Sequence, residues 1–88
     1  MVFTIDHSSR SVLIQFGTEA KAEKMDVKLC QSLTPEVAED LQLDLMAGFP
    51  CKNFFAVSVY MHINCPDENF ERFIKFLTKL AETVDCKQ

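Results

Sequence analysis

The chain has 88 residues, 48% apolar and 25% charged, with thirteen acids against nine bases and a formal charge of −4. That length fits one α+β domain over residues 1–88, and an ordinary charge content argues against a disordered polyelectrolyte. The acidic balance argues against direct nucleic-acid binding, which needs clustered Lys and Arg, and no run of about 18 apolar residues predicts a membrane span.

Val2 to Asp6 alternates, with Phe3 and Ile5 on one side, and Ser11 to Phe16 alternates with Val12, Ile14 and Phe16 together. The polar stretch His7-Ser8-Ser9-Arg10 between them predicts a hairpin whose second strand stops at Gly17. Residues 18–33 carry two signals. Thr18 can cap the helix formers Glu19 to Lys24, but that run has almost no apolar stripe. Met25, Val27 and Leu29 then alternate with Asp26, Lys28 and Cys30, so the preferred expectation is a charged connection followed by a third strand.

Thr34, Pro35 and Glu36 supply a cap, a first-turn proline and an acid at the positive end of a helix. Val37, Ala38, Leu41, Leu45 and Met46 share its apolar face, and Gly48 with Pro50 ends it. Phe54 to Ile63 reads as one central strand. Phe55, Val57, Val59, Met61 and Ile63 form its apolar face, while Phe54, Ala56, Ser58, Tyr60 and His62 form a semi-apolar one. From Asp67 to Val84, residues Phe70, Phe73, Ile74, Phe76, Leu77, Leu80, Ala81 and Val84 make a wide helical stripe. The expected fold is a three- to four-stranded, mainly antiparallel sheet with two helices on one face, in the order β-β-(β)-α-β-α.

The four cysteines, Cys30, Cys51, Cys65 and Cys86, include no Cys-x-x-Cys pair. Cys51 and Cys65 bracket the expected central strand, roughly 35 Å long, which holds them too far apart to bond. The first ten residues, MVFTIDHSSR, carry an acid and no basic stretch ahead of an apolar one, so no secretory signal is expected. Reduced thiols and this N-terminal sequence together predict a cytoplasmic protein.

Cys65 is the sharpest chemical candidate, because a thiol at a helix N-terminus ionises more easily. Asp67 and Glu68 in the same turn oppose that charge, and no resolving cysteine follows two or three residues on. His62 and Cys65 have a zinc-like spacing, yet Cys51 and Cys86 would lie roughly 25–35 Å away, so no metal site is expected. Asp6, His7, Ser8 and Ser9 suit a polar turn better than a nucleophile with its base, and Gly17 and Gly48 are too isolated for a phosphate loop. These absences lead to the expectation of no catalytic residue, no cofactor and no enzyme.

Two surfaces remain. Glu36, Glu39, Asp40 and Asp44 fall in a stretch without any Lys or Arg, and Glu36, Asp40 and Asp44 step along one helical ridge about 6 Å apart. A solvated face explains them simply; a docking ridge for a basic partner is the functional alternative. Phe54, Tyr60 and His62, beside Leu13 and Val2, would form an open sheet face suited to a partner or a homodimer. The expected function is a small acidic protein–protein interaction module: an adaptor, inhibitor or antitoxin-like regulator acting by surface complementarity. A redox protein using Cys65 and a structural subunit of an oligomer are the alternatives.

Overall fold

Alternating strands that hide one side chain in two need a layer to pack against, and here helices supply it. The computed structural model describes residues 1–42 and 50–85. In chain order the elements are β1 (Val2–Asp6), β2 (Ser11–Gln15), α1 (Glu19–Ser32), α2 (Pro35–Leu41), β3 (Cys51–Asn53), β4 (Ala56–Tyr60) and α3 (Asp67–Asp85). The strands form one sheet in the order β1-β2-β4-β3, and every neighbouring pair is antiparallel.

The β1–β2 hairpin closes through Asp6. Its carboxylate accepts from the Ser8 backbone N–H at 3.0 Å, the Ser8 hydroxyl at 2.7 Å and the Ser9 N–H at 3.3 Å. This is the local side-chain-to-backbone bonding that makes Asp and Ser turn residues.

Residues 18–33 require the first correction. The expected third strand is instead the helix α1, so the described residues hold three helices rather than two. Thr18 caps α1 by accepting from the Lys21 N–H at 3.2 Å, and Ala22, Met25 and Leu29 are buried at i, i+3 and i+7. Val27, which the period-2 pattern would bury beside Met25 and Leu29, is 48% exposed. A stripe whose first member is alanine looks polar in sequence, yet lets the helix approach closely.

The second correction concerns Phe54 to Ile63. That segment is not one strand: Asn53 pairs with Ala56, and Phe54-Phe55 is the two-residue loop of a β3–β4 hairpin. Such loops normally place Gly or Asn at left-handed positions, and Phe54 takes φ 53° without either. Alternation ran on through the loop because no glycine marked it. Beyond Tyr60 the Met61 N–H still donates to the Arg10 carbonyl at 2.8 Å, but the chain then turns, with the Cys65 N–H donating to the His62 carbonyl at 2.9 Å. The order is therefore β-β-α-α-β-β-α, a different sequence of elements from the one expected.

In α2 the Thr34 hydroxyl accepts from the Val37 N–H at 3.3 Å, and Gln42 closes the helix in the left-handed conformation at φ 59°. Leu45, Met46 and Gly48, expected in that helix and its stop, lie outside the described residues. On α3, Phe70, Phe73, Leu77, Ala81 and Val84 are buried, with Ile74, Phe76 and Leu80 packed at the margin. They meet Val12, Ile14, Val57 and Val59 from the sheet, Met61 just beyond β4, and Met25 and Leu29 from α1. At about 1.5–3 kcal/mol per fully buried large side chain, this cluster supplies most of the favourable folding energy. An ion pair of 2.8 Å between Lys21 and Asp85 joins the start of α1 to the end of α3. β1, at the sheet edge, rests on β2 and, among the described residues, has no extensive contact with any helix.

Candidate functional site

Because Val12, Ile14, Val57 and Val59 face the helices, their strand neighbours face away. The register sets Leu13 beside Thr4 and Ser58, Ser11 beside Asp6 and Tyr60, and Gln15 beside Val2 and Ala56 on this open side. Thr4, Asp6, Ser11, Leu13, Ser58 and Tyr60 line a shallow depression of about 280 Å3. Its lining sets hydroxyl and carboxylate groups among apolar surface from Val12, Leu13 and the Tyr60 ring.

The three aromatic residues expected on this face do not come together. Tyr60 is there, exposed at the end of β4. Phe54 sits beyond the other end of β4, in the hairpin loop. His62 lies past the strand, exposed, with its Nδ1 accepting from the Asn64 N–H at 3.1 Å. What the sequence did not reveal is the loop itself: Phe54 is 70% exposed and Phe55 55%. The available signal was Asn53, a turn former standing before two aromatic residues in a run otherwise suited to strand. The Phe16 N–H donates to the Phe55 carbonyl at 2.7 Å, so the loop is anchored to the sheet through its backbone while its rings point outward.

The acidic residues of α2 are partly answered from another element. Glu36 and Glu39 are exposed, but the Asp40 carboxylate is paired with Arg72 of α3 at 2.7 Å, and the same guanidinium reaches the Asp40 carbonyl at 3.4 Å. Lys75 and Lys79 line the same groove between α2 and α3, beside Val37 and Phe76. Asp44 lies outside the described residues. One acid of α2 therefore meets a base from α3, while Glu36 and Glu39 stay exposed.

Cys65 is buried, whereas Cys30 and Cys51 are exposed, and all three are free thiols. Cys86 lies outside the described residues. Asp6 is held below its ordinary pKa of 3.8, first by the Ser8 hydroxyl and then by the Ser9 and Ser8 backbone and side-chain donors. His7 does not approach Ser8 as a base would; its ring stands edge-on to Phe70, with centroids 5.3 Å apart. Arg10 lies over the same ring at 5.2 Å and pairs with Asp67, which ties the first hairpin to the start of α3. No group of three or more His, Cys, Asp or Glu side chains able to hold a metal occurs among the described residues.

Compared with protein-family models, with curated proteins and with solved structures, the chain shows no match. Among the described residues no helix is long and apolar enough to cross a membrane. The surface itself therefore carries the functional argument.

Proposed function

We propose that the chain is a protein–protein interaction module whose anchor is the Phe54–Phe55 loop. The supporting observation is the exposure of two adjacent phenylalanines, 70% and 55%, on a hairpin that holds Phe54 at φ 53°. A bulky residue there is strained, and the strain is not repaid by burial of the ring among the described residues. Burial of both rings in an apolar pocket of another protein would return at most about 1.5–3 kcal/mol each.

Adaptors, inhibitors and antitoxin-like regulators belong to this class, because each works by occupying a surface rather than by making or breaking bonds. The net charge of −4 and the exposed Glu36 and Glu39 favour a basic rim around the partner's pocket. The free thiols suit a reducing compartment such as the cytoplasm. Burial of Cys65 weighs against the redox alternative.

The test is affinity capture at low and high salt with three baits: the wild type, a Phe54→Ser/Phe55→Ser chain, and a Glu36→Lys/Glu39→Lys chain. A partner held by the wild type should be lost with the loop variant. The charge variant should hold it more weakly and with a flatter salt dependence. If the loop variant retains the same partner at the same strength, the anchor is elsewhere and the proposal fails.

A further inference from the structure

We infer that β1 is a self-pairing edge, and that a second copy of this chain docks there by a two-fold antiparallel pairing centred on Thr4. The backbone groups of β1 divide into those already bonded to β2 and those that are not. The Phe16 N–H donates to the Phe55 carbonyl and the Met61 N–H to the Arg10 carbonyl. Both bonds fall on the β2–β4 register that pairs Val12 with Val59 and Ile14 with Val57. In an antiparallel ladder the hydrogen-bonded pairs recur every second residue, so Val12 and Ile14 direct their N–H and C=O groups toward β4. Ser11, Leu13 and Gln15 direct theirs toward β1, where their partners are Asp6, Thr4 and Val2. The N–H and C=O groups of Phe3 and Ile5 therefore point away from the sheet, along its open edge. Among the described residues no other strand pairs with that edge.

This edge lacks the devices that protect edges. β1 has no lysine, no proline and no bulge, and its single charge, Asp6, stands at the end with its carboxylate engaged in the turn. Among the described residues no helix covers it extensively, and Ile5 is 38% exposed with Phe3 only partly buried.

The five residues are complementary to themselves. With the two-fold axis at Thr4, Phe3 of one copy faces Ile5 of the other, twice, and these are the residues whose backbone groups point along the open edge. Four new backbone hydrogen bonds form. Aromatic and β-branched side chains then meet on the helical side, a pairing that stabilises antiparallel strands. Thr4 faces its own symmetry mate on the open side, and Asp6 faces Val2 rather than another Asp6. A shift of the axis to Phe3 or Ile5 keeps the bonding parity but shortens the overlap, so the Thr4 axis uses the whole strand. β1 and the β3–β4 hairpin lie at opposite edges of the sheet, so the dimer leaves both Phe54–Phe55 loops free.

Thr4 offers a clean test, because its side chain is exposed on the open face of the single copy and meets a copy of itself in the dimer. Thr4→Lys and Thr4→Glu would each set like charges directly opposite one another. Sedimentation of the wild type over a concentration series should show the mass doubling. Each variant alone should stay at the single-chain mass, and an equal mixture of the two should recover the double mass. A wild type that stays monomeric up to about 1 mM, the weakest association of interest, overturns the proposal. So does a wild-type dimer that survives either variant, or a mixture that fails to recover it. Amide exchange of the wild type gives a check without any substitution. The Phe3 and Ile5 amides should become protected as concentration rises, while the Thr4 and Asp6 amides, bonded to β2, stay protected throughout. Protection of Phe3 and Ile5 that ignores concentration overturns it equally. A Phe54→Ser/Phe55→Ser chain should still dimerise, which separates failure of this pairing from failure of the anchor.

Discussion

Exchanging Phe54 for Gly and for Ala gives opposite signs from the same exchange at Phe55. Phe54 stands at φ 53°, where a residue with a Cβ pays about 1–2 kcal/mol. Glycine escapes that cost but loses about 0.5–1 kcal/mol more backbone entropy on folding. The difference leaves Phe54→Gly more stable than Phe54→Ala by about 0.5–1 kcal/mol. Phe55 is not among the positive-φ residues, so there Phe55→Ala should be the more stable by about 0.5–1 kcal/mol. Comparing Ala with Gly removes the same ring in both, so the small amount of burial each ring has cancels. Urea unfolding reads the effect as a change in midpoint at constant slope. In a chain of this size it corresponds to a few degrees in thermal midpoint, at about 4–8 °C per kcal/mol. The same order at both positions would refute the left-handed loop and, with it, the strain that supports the anchor. A stabilised Phe54→Gly chain that no longer captures its partner would show stability given up for binding.

Four further outcomes follow from the geometry. Phe73→Ala, at a fully buried position, should cost about 3–5 kcal/mol, a large part of the roughly 4–13 kcal/mol available to 88 residues, and appear as a sharply lowered urea midpoint. Arg72→Ala should cost about 0.2–1 kcal/mol at low ionic strength, because the pair with Asp40 is exposed, and the difference should vanish in about 1 M salt. The Asp6 carboxyl should titrate by NMR below 3.8, and Ser8→Ala should move it back up. Since its folded pKa lies below the unfolded one, the stability it contributes is present above 3.8 and is lost as pH falls through the lower folded midpoint. Thiol labelling of the native chain should modify Cys30 and Cys51 quickly and Cys65 only on unfolding; fast native labelling at Cys65 would revive the redox reading.

The sequence was most informative where two independent signals agreed. Alternation on both sides of His7-Ser8-Ser9-Arg10 announced the first hairpin, and cap, proline and acid at Thr34, Pro35 and Glu36 announced α2. In α3 the stripe through Phe70, Phe73, Leu77 and Ala81 had the right period over nineteen residues. Errors arose where a short pattern fitted two periods. Met25 and Leu29 satisfy both i+4 and alternation, and only the packing of Ala22 and the exposure of Val27 decide between them. Phe54 and Phe55 continue an alternating run through a loop that glycine would ordinarily have marked.

Surface properties were harder to read because they depend on residues far apart in the chain. Asp40 finds Arg72 across 32 positions, so a one-signed helix in sequence is a partly neutralised groove in space. Likewise, alternation assigns Phe3 and Ile5 to a face, but says nothing about where their amides point. That is decided by the β2–β4 ladder, through bonds made at Arg10 and Phe16.

The same register links the two proposed surfaces. One Phe54–Phe55 loop supplies about 3–6 kcal/mol of burial before any cost of association, which corresponds to an affinity no tighter than about tens of micromolar. Pairing through β1 places a loop at each outer edge of a continuous eight-stranded sheet, so a partner with two pockets is met by two anchors on one rigid body. The second contact is then intramolecular, and avidity can exceed either single affinity by about 10²–10⁴ without any new contact surface. On that geometry, Thr4→Lys should weaken capture of a two-pocket partner without touching the loop. It should leave capture of a single-pocket fragment of that partner unchanged.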